Sequence, residues 1–194
     1  ILISNYNKEK YIDECILSCL NQNYNNLEII VCDNNSTDNS LDKIKRYSNK
    51  IIYKSKERIS NYGPVNQIDI LTEAFKISSG NIICLLDSDD FFFSNKIENI
   101  VFFFDKDKNL DILFDIPYTK IKNKIYPIKI KKKFNKYIWP STIPTSGISF
   151  KRSFFEYCLK LNLFDNYPML EIDFRLNLFA QKINRNYQIS NDKL

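Results

Sequence analysis

Histidine does not occur anywhere in this 194-residue chain. Its absence excludes a histidine-based triad, a histidine general base and a mixed cysteine–histidine zinc site, so acid–base chemistry falls to Asp, Glu, Lys, Tyr or Cys. Glycine is nearly as scarce, with Gly63, Gly80 and Gly147 alone. Three scattered glycines build no phosphate-cradling loop, so a nucleotide bound here is not held by a Walker-type or dinucleotide-binding turn. No apolar run approaches the length of a membrane span, and no leader peptide is visible. The chain opens at Ile1, without Met and inside an apolar stretch, which reads as a fragment trimmed from a longer protein. The five cysteines are odd in number and mostly in apolar surroundings. Cys15, Cys19, Cys32 and Cys84 read as small reduced core residues, and a cytosolic compartment is expected.

What the chain does have is core material. Hydrophobic residues make up 44% of it, with 15 Phe and 12 Tyr, enough for one globular domain. Over the first 90 residues strand and helix patterns alternate. Ile1–Ser4 reads as a strand end, and Ile12, Cys15, Ile16, Cys19 and Leu20 recur at helical spacing. Leu27–Cys32 is a second buried strand, followed by the turn Asp33–Asp38. A helix over Ser40–Tyr47, a strand over Lys50–Lys54, a helix over Pro64–Ser78 and a strand over Asn81–Leu86 complete the series. This order predicts parallel βαβ units in a doubly wound α/β sheet with helices on both faces. After residue 90 the pattern changes. A loop and an aromatic-rich helix cover Phe91–Phe104, and extended, antiparallel segments broken by Pro117 and Pro127 lie between Leu110 and Ile130. A strand at Thr145–Lys151 and helices at Arg152–Leu161 and Glu171–Gln181 follow.

The strand Asn81–Leu86 ends in Asp87-Ser88-Asp89-Asp90. Three carboxylates in four residues repel one another and cannot be buried unpaired. In an open α/β sheet that edge is where ligands bind, and an Asp-x-Asp spacing suits a hard cation such as Mg²⁺. An isolated Asp-x-Asp is more often a solvated acidic turn, so the assignment needs the other motifs.

Those motifs follow in order: Ile3–Ile12 opening the first helix, Val31–Asp38 closing the second strand, Gly80–Asp90, and Leu170–Leu176 starting a late helix. Together they resemble the family 2 glycosyltransferases, inverting enzymes of the GT-A fold that use nucleotide-diphosphate sugars. The resemblance implies one domain over 1–194, with a nucleotide-sugar half (1–90) and an acceptor-side half (91–194). It implies that Ser4, Tyr6 and Glu9 meet the nucleobase; the plainer alternatives are a core Tyr6 and a first-turn acid at Glu9. Asp33 falls where the family recognises the base, usually uracil, or else it simply caps a turn. Relatives often have a second acid where this chain has Asn34. Arg58 and Asn66 are assigned to the nucleotide, as is Ser88. Asp89, with Asp87, is implied to hold Mn²⁺ or Mg²⁺ on the diphosphate, and Asp87 also to face the ribose or sugar.

The catalytic base is implied at Glu171, with Asp173 as the alternative and Arg175 as an orienting partner. Leu170 stands where the family has a further acid. Trp139-Pro140 and Thr145-Ser146-Gly147 fall in the implied acceptor region. Lys120 to Lys136 carries eight lysines and no acid. It reads as a solvated hairpin whose lysines protect its edge, with peripheral membrane contact as an alternative; no nucleic-acid partner is expected. The implied function is metal-dependent inverting transfer from a UDP-sugar to a glycan or lipid-linked acceptor, in the cytoplasm or at the inner face of the plasma membrane. The rivals are an inactive binding module of the same fold and a haloacid dehalogenase-type phosphatase. The latter needs Thr or Val soon after its acids, where this chain has Phe91-Phe92.

Overall fold

The computed structural model describes residues 1–122, 124–128, 142–165, 168–182 and 185–190. A seven-stranded sheet lies between two layers of helices. Its strands are β1 (Leu2–Asn5), β2 (Ile30–Asp33), β3 (Ile52–Ser55), β4 (Ile82–Asp87), β5 (Ile112–Asp115), β8 (Ile148–Lys151) and β9 (Tyr187–Ser190), in the order β3-β2-β1-β4-β8-β5-β9. A separate antiparallel hairpin joins β6 (Tyr118–Ile121) to β7 (Lys124–Pro127).

Period-two alternation sorts the strand side chains into two cores. Leu2, Ile30, Cys32, Ile83 and Leu85 face α3 (Gly63–Ile77), α5 (Arg152–Lys160) and α6 (Ile172–Lys182). Ile3, Val31, Cys84 and Leu86 face α1 (Ile12–Leu20), α2 (Ser40–Lys45) and α4 (Lys96–Lys106). Each such fully buried aliphatic side chain contributes about 1.5–3 kcal/mol. Cys15, Cys19, Cys32, Cys84 and Cys158 are all buried free thiols, as their apolar settings implied.

The parallel half matches the sequence pattern. β1 pairs with both β2 and β4, so Asn5 lies beside Asp33 and Ser4 beside Asp87. Strand order reverses about β1, which opens the ligand-binding crevice of a doubly wound sheet at these C-terminal ends. In the other half, Thr145–Gly147 is a 3₁₀ turn rather than the start of β8, and β9 had no counterpart in the sequence pattern. β5 leaves the hairpin region and enters the main sheet, antiparallel to β8 and parallel to β9. Gly147 fits because a Cβ there would stand 2.5 Å from the Asp115 carbonyl oxygen. The β7 side chains are exposed, so the described part of the lysine-rich segment is a solvated hairpin; residues 129–136, and Trp139-Pro140, lie outside the described residues. No helix among the described residues is long and apolar enough to cross a membrane.

Candidate functional site

Two turns at the ends of β1 and β2 are laced together. Asn7 takes a left-handed conformation (φ 53°), which asparagine tolerates, and its Oδ1 accepts from Thr37 N at 2.8 Å. Asp33 is fully buried beneath them. Its Oδ1 accepts from Asn5 Nδ2 and Ser36 Oγ, each at 2.6 Å, and its Oδ2 from Ser36 N at 2.9 Å. The Asp33 carboxylate is therefore engaged by the fold and is not among the residues that line the crevice, where a base-reading role was expected for it. Its neighbour Asn34 lines the crevice instead, with Nδ2 donating to the Lys56 carbonyl at 3.3 Å. Glu9 is likewise not brought to the crevice. Its Oε2 accepts from Asn39 N at 3.0 Å, tying the start of α1 to the next turn.

The crevice is a cavity of about 360 Å³ at the ends of β1 and β4, walled by the first turns of α3. Ser4, Tyr6, Arg58, Asn66, Asp87, Ser88, Asp89 and Glu171, all expected on the sequence, line it together. Tyr6 is 40% exposed, with the Arg58 guanidinium 4.1 Å from its ring centroid. Such a cation–aromatic plate offers a flat surface for a base. Asn66 serves the loop that carries Arg58. Its Oδ1 accepts from Ile59 N (3.0 Å) and Ser60 N (3.2 Å), and its Nδ2 donates to Ser60 O (2.7 Å) and Tyr62 O (2.8 Å). These four bonds hold the loop that follows Arg58, while Asn66 itself lines the cavity.

The acidic turn divides its labour. Asp87 Oδ1 accepts from Gln67 Nε2 at 2.8 Å and from Ser4 Oγ at 3.2 Å. Burial first, then the charges of Asp90 and Asp89, push the Asp87 carboxyl up to about 7. Asp90 Oδ2 accepts from Ser146 Oγ at 2.6 Å, and that same Oγ accepts from Asp87 N at 3.1 Å, so the Thr145-Ser146-Gly147 turn braces the cluster. Asp89 is open to solvent at 39% exposure and pairs with Lys8 Nζ at 2.5 Å. That bond is the main reason the Lys8 ammonium sits above its ordinary value.

Gln67 and Lys8 both line the cavity and were missed from the sequence. Gln67 follows Asn66 on α3, and no motif in the sequence marks it. Lys8 sits in a stretch noticed for its neighbours.

Among the described residues no group of three or more Asp, Glu or Cys converges as a metal cage. Mg²⁺ and Mn²⁺ sites on nucleotides need only one or two carboxylates, the rest coming from phosphate and water. The donor set fits that need: Asp89 already pairs with a cation, the Lys8 ammonium, and burial, then the charges of Asp90 and Asp89, hold the neighbouring Asp87 carboxyl up.

Glu171 lines the cavity from the start of α6, and its carboxyl is raised by partial burial and then by the Asp173 charge. Asp173 is not among the lining residues, and its Oδ1 accepts from Phe174 N at 2.5 Å. Arg175 is 2% exposed and donates from Nε to Leu170 O (2.9 Å) and from Nη1 to Phe164 O (3.0 Å). Those bonds tie Arg175 to the segment preceding α6.

A second cavity, about 560 Å³, lies on the other side of Asp89, between Phe91, Tyr118 and Lys120. Phe93 packs edge-on against both Phe91 and Tyr118, with centroids 5.9 Å apart in each pair, and Lys120 Nζ bonds Glu14 at 2.7 Å.

Residues 1–164 match the family model described as Glycosyl transferase family 2. An uncharacterized glycosyltransferase of Haemophilus influenzae is 40% identical over 100 residues, 50% of this chain and 38% of that protein. The Escherichia coli UDP-Glc:alpha-D-GlcNAc-diphosphoundecaprenol beta-1,3-glucosyltransferase WfaP is 36% identical over 110 residues, 56% of this chain and 41% of that protein. The matched stretch spans about two fifths of these relatives' length. Among solved structures, S. aureus TarS 1-349 in complex with UDP superposes with a TM-score of 0.71 at 22% identity, over 99% of this chain and 57% of that one. The mannosyltransferase PcManGT from Pyrobaculum calidifontis, in complex with GDP-Man and Mn²⁺, gives 0.65 at 14% identity, over 98% and 54%. The likeness to these structures is one of fold, and the fold is GT-A.

Proposed function

The chain belongs to glycosyl transferase family 2, and from that membership we propose that it is the catalytic part of an inverting, metal-dependent glycosyltransferase. In this reading it moves a sugar from a UDP-sugar to a glycan or lipid-linked acceptor at the inner face of the membrane. The observation that carries the reading is Asp89, a solvent-open carboxylate at the reversal point of the sheet that lines the first cavity and pairs there with the Lys8 ammonium. The UDP assignment is supported by the UDP named with TarS and the UDP-Glc named with WfaP. The diphosphoundecaprenol in the latter name supports a lipid-linked acceptor.

The residues divide the work as follows. Tyr6 and Arg58 stack the base, and Asn34 Oδ1 accepts from its ring N–H. Asp87, steadied by Gln67 and Ser4, meets the ribose or sugar. Asp89 would hold Mn²⁺ or Mg²⁺, which when bound would neutralise charge on the departing diphosphate. Glu171 takes the proton of the acceptor hydroxyl as that oxygen attacks the anomeric carbon from the face opposite the nucleotide. One carbon–oxygen bond forms, the bond to phosphate breaks, and UDP leaves. The second cavity, with its aromatic wall and Lys120, takes the acceptor. UDP release from UDP-sugars, assayed with Mn²⁺ and with EDTA, tests the reading: metal-dependent release supports it. Failure to release UDP and to bind UDP in either condition defeats it.

A further inference from the structure

Lys8 has no part in the reaction as written above, yet it is the residue in contact with the proposed metal ligand. Its backbone is pinned: Lys8 N donates to Ser40 Oγ at 2.8 Å, and Lys8 O accepts from Tyr11 N at 2.9 Å and Ile12 N at 3.0 Å. Its side chain is not: the Lys8 and Asp89 side chains are each 39% exposed and meet in a single ion pair. Four rotatable bonds on a fixed backbone give an ammonium that can move while its root stays. Its position in the cavity is intermediate. Tyr6, with Arg58 on its ring, lies two residues before it, and Asp89 lies at its tip. A nucleotide whose base rests on Tyr6 must pass its diphosphate by Lys8 to bring it to Asp89.

We propose that Lys8 is an internal cation which occupies Asp89 in the ligand-free protein, yields that carboxylate to the divalent ion and transfers its own contact to the nucleotide's diphosphate. This rests on the reading of Asp89 as the metal ligand. The charge count motivates the exchange. Asp87, Asp89 and Asp90 crowd one turn, and Lys8 offsets them when no ligand is present. Once a dication takes over that task, the ammonium is released beside the ligand's own negative charge, where a charge-assisted hydrogen bond is stronger than an exposed ion pair. Lys8 thus opposes metal binding in the absence of nucleotide and favours diphosphate binding in the absence of metal.

The two effects have opposite signs, which a merely structural role would not produce. Mn²⁺ binding without nucleotide is read by the electron paramagnetic resonance signal of free Mn²⁺, and UDP binding in EDTA by calorimetry, for wild type, Lys8→Met and Lys8→Arg. Lys8→Met is expected to bind Mn²⁺ about twofold to fivefold more tightly than wild type. It should bind UDP in EDTA about tenfold more weakly. Lys8→Arg should keep UDP affinity close to wild type. Equal Mn²⁺ affinity in wild type and Lys8→Met, or unchanged metal-free UDP binding in Lys8→Met, overturns the exchange while leaving Asp89 as the metal ligand. Mn²⁺ binding that persists unchanged in Asp89→Asn overturns the metal reading and the exchange with it.

Discussion

Two lysine–aspartate pairs stand at the C-terminal ends of β4 and β5, two strands apart in the same sheet, and they differ most in burial. Lys8 and Asp89 are each 39% exposed, whereas Lys96 and Asp115 are 4% and 3% exposed. In water an ion pair is worth little and is easily exchanged. In the interior the same pair cannot be separated without stranding a charge, so it acts as a fixed joint between α4 and the end of β5. Burial pushes the Asp115 carboxyl up even though Lys96 pulls it down, which marks how far that joint is removed from solvent. The same two residue types thus make an exchangeable site in one place and a staple in the other.

The comparison breaks most sharply at the staple. Lys96→Met leaves Asp115 buried and unpaired, and unfolding in urea should show a loss of about 3–5 kcal/mol. Lys96→Met combined with Asp115→Leu should recover most of it, because an apolar pair carries no desolvation cost. A loss under about 1 kcal/mol in the single variant would mean that the pair is wetter than its burial indicates. Asp89→Asn should do the reverse. Transfer should fall about 10²–10³-fold, while the unfolding midpoint in the absence of ligand stays near that of the parent. Asp89→Asn that binds UDP–Mn²⁺ as well as the parent would remove Asp89 from the site.

The two pairs also show where the sequence was legible and where it was not. Asp87 and Asp89 could be placed because a run of five apolar residues ends at them, and parallel strands put their C-terminal ends on one edge. Asp33 was placed at that edge for the same reason, and the structure puts it there, buried beside the crevice with Asn34 on its lining. Which of two adjacent polar residues faces the crevice depends on the Asn5–Asp33 and Asp33–Ser36 hydrogen bonds, the first of which joins residues 28 apart in the chain. Asp115 carried no signal, since its partner Lys96 looks like any helix-start lysine. β9 was missed because its Tyr187-Gln188-Ile189-Ser190 run is short and its pairing with β5 joins Leu113 to Gln188. The carbonyls that Arg175 binds belong to residues 164 and 170, partners that spacing on its own helix could not reveal. Pattern within a segment survives in the folded chain; choice of partner across segments does not show in the pattern.

Glu171→Gln carries the next effect, about 10²-fold in transfer with UDP affinity unchanged. Because partial burial and the Asp173 charge raise the Glu171 carboxyl, it gains its proton at a higher pH than an ordinary glutamate. A base is active only when deprotonated. The rate should therefore fall with decreasing pH through a limb set above the usual glutamate value, and Asp173→Asn should move that limb downward by removing the neighbouring charge. An unmoved limb in Asp173→Asn, or a parental rate in Glu171→Gln, would assign the base elsewhere.

The smallest effect lies with the other exposed pair in the donor cavity, Arg58 over Tyr6. A cation–aromatic contact at a solvent-open site contributes about 0.5–1 kcal/mol, so Arg58→Ala should weaken UDP binding about threefold to fivefold and leave folding stability near that of the parent. Arg58 does not act alone, because its loop is held by Asn66 through bonds to residues 59, 60 and 62. Asn66→Ala should therefore reproduce the loss in UDP affinity and add a loss of stability, since four backbone hydrogen bonds to a buried side chain go with it. In the double variant the affinity losses should not add, because Asn66 reaches the nucleotide only through where it puts Arg58. Additive losses would show that Asn66 touches the nucleotide directly, as its position in the sequence first suggested. That outcome would place an interior residue in the binding site and weaken the rule that, in this crevice, exposed pairs exchange partners while buried ones hold the frame.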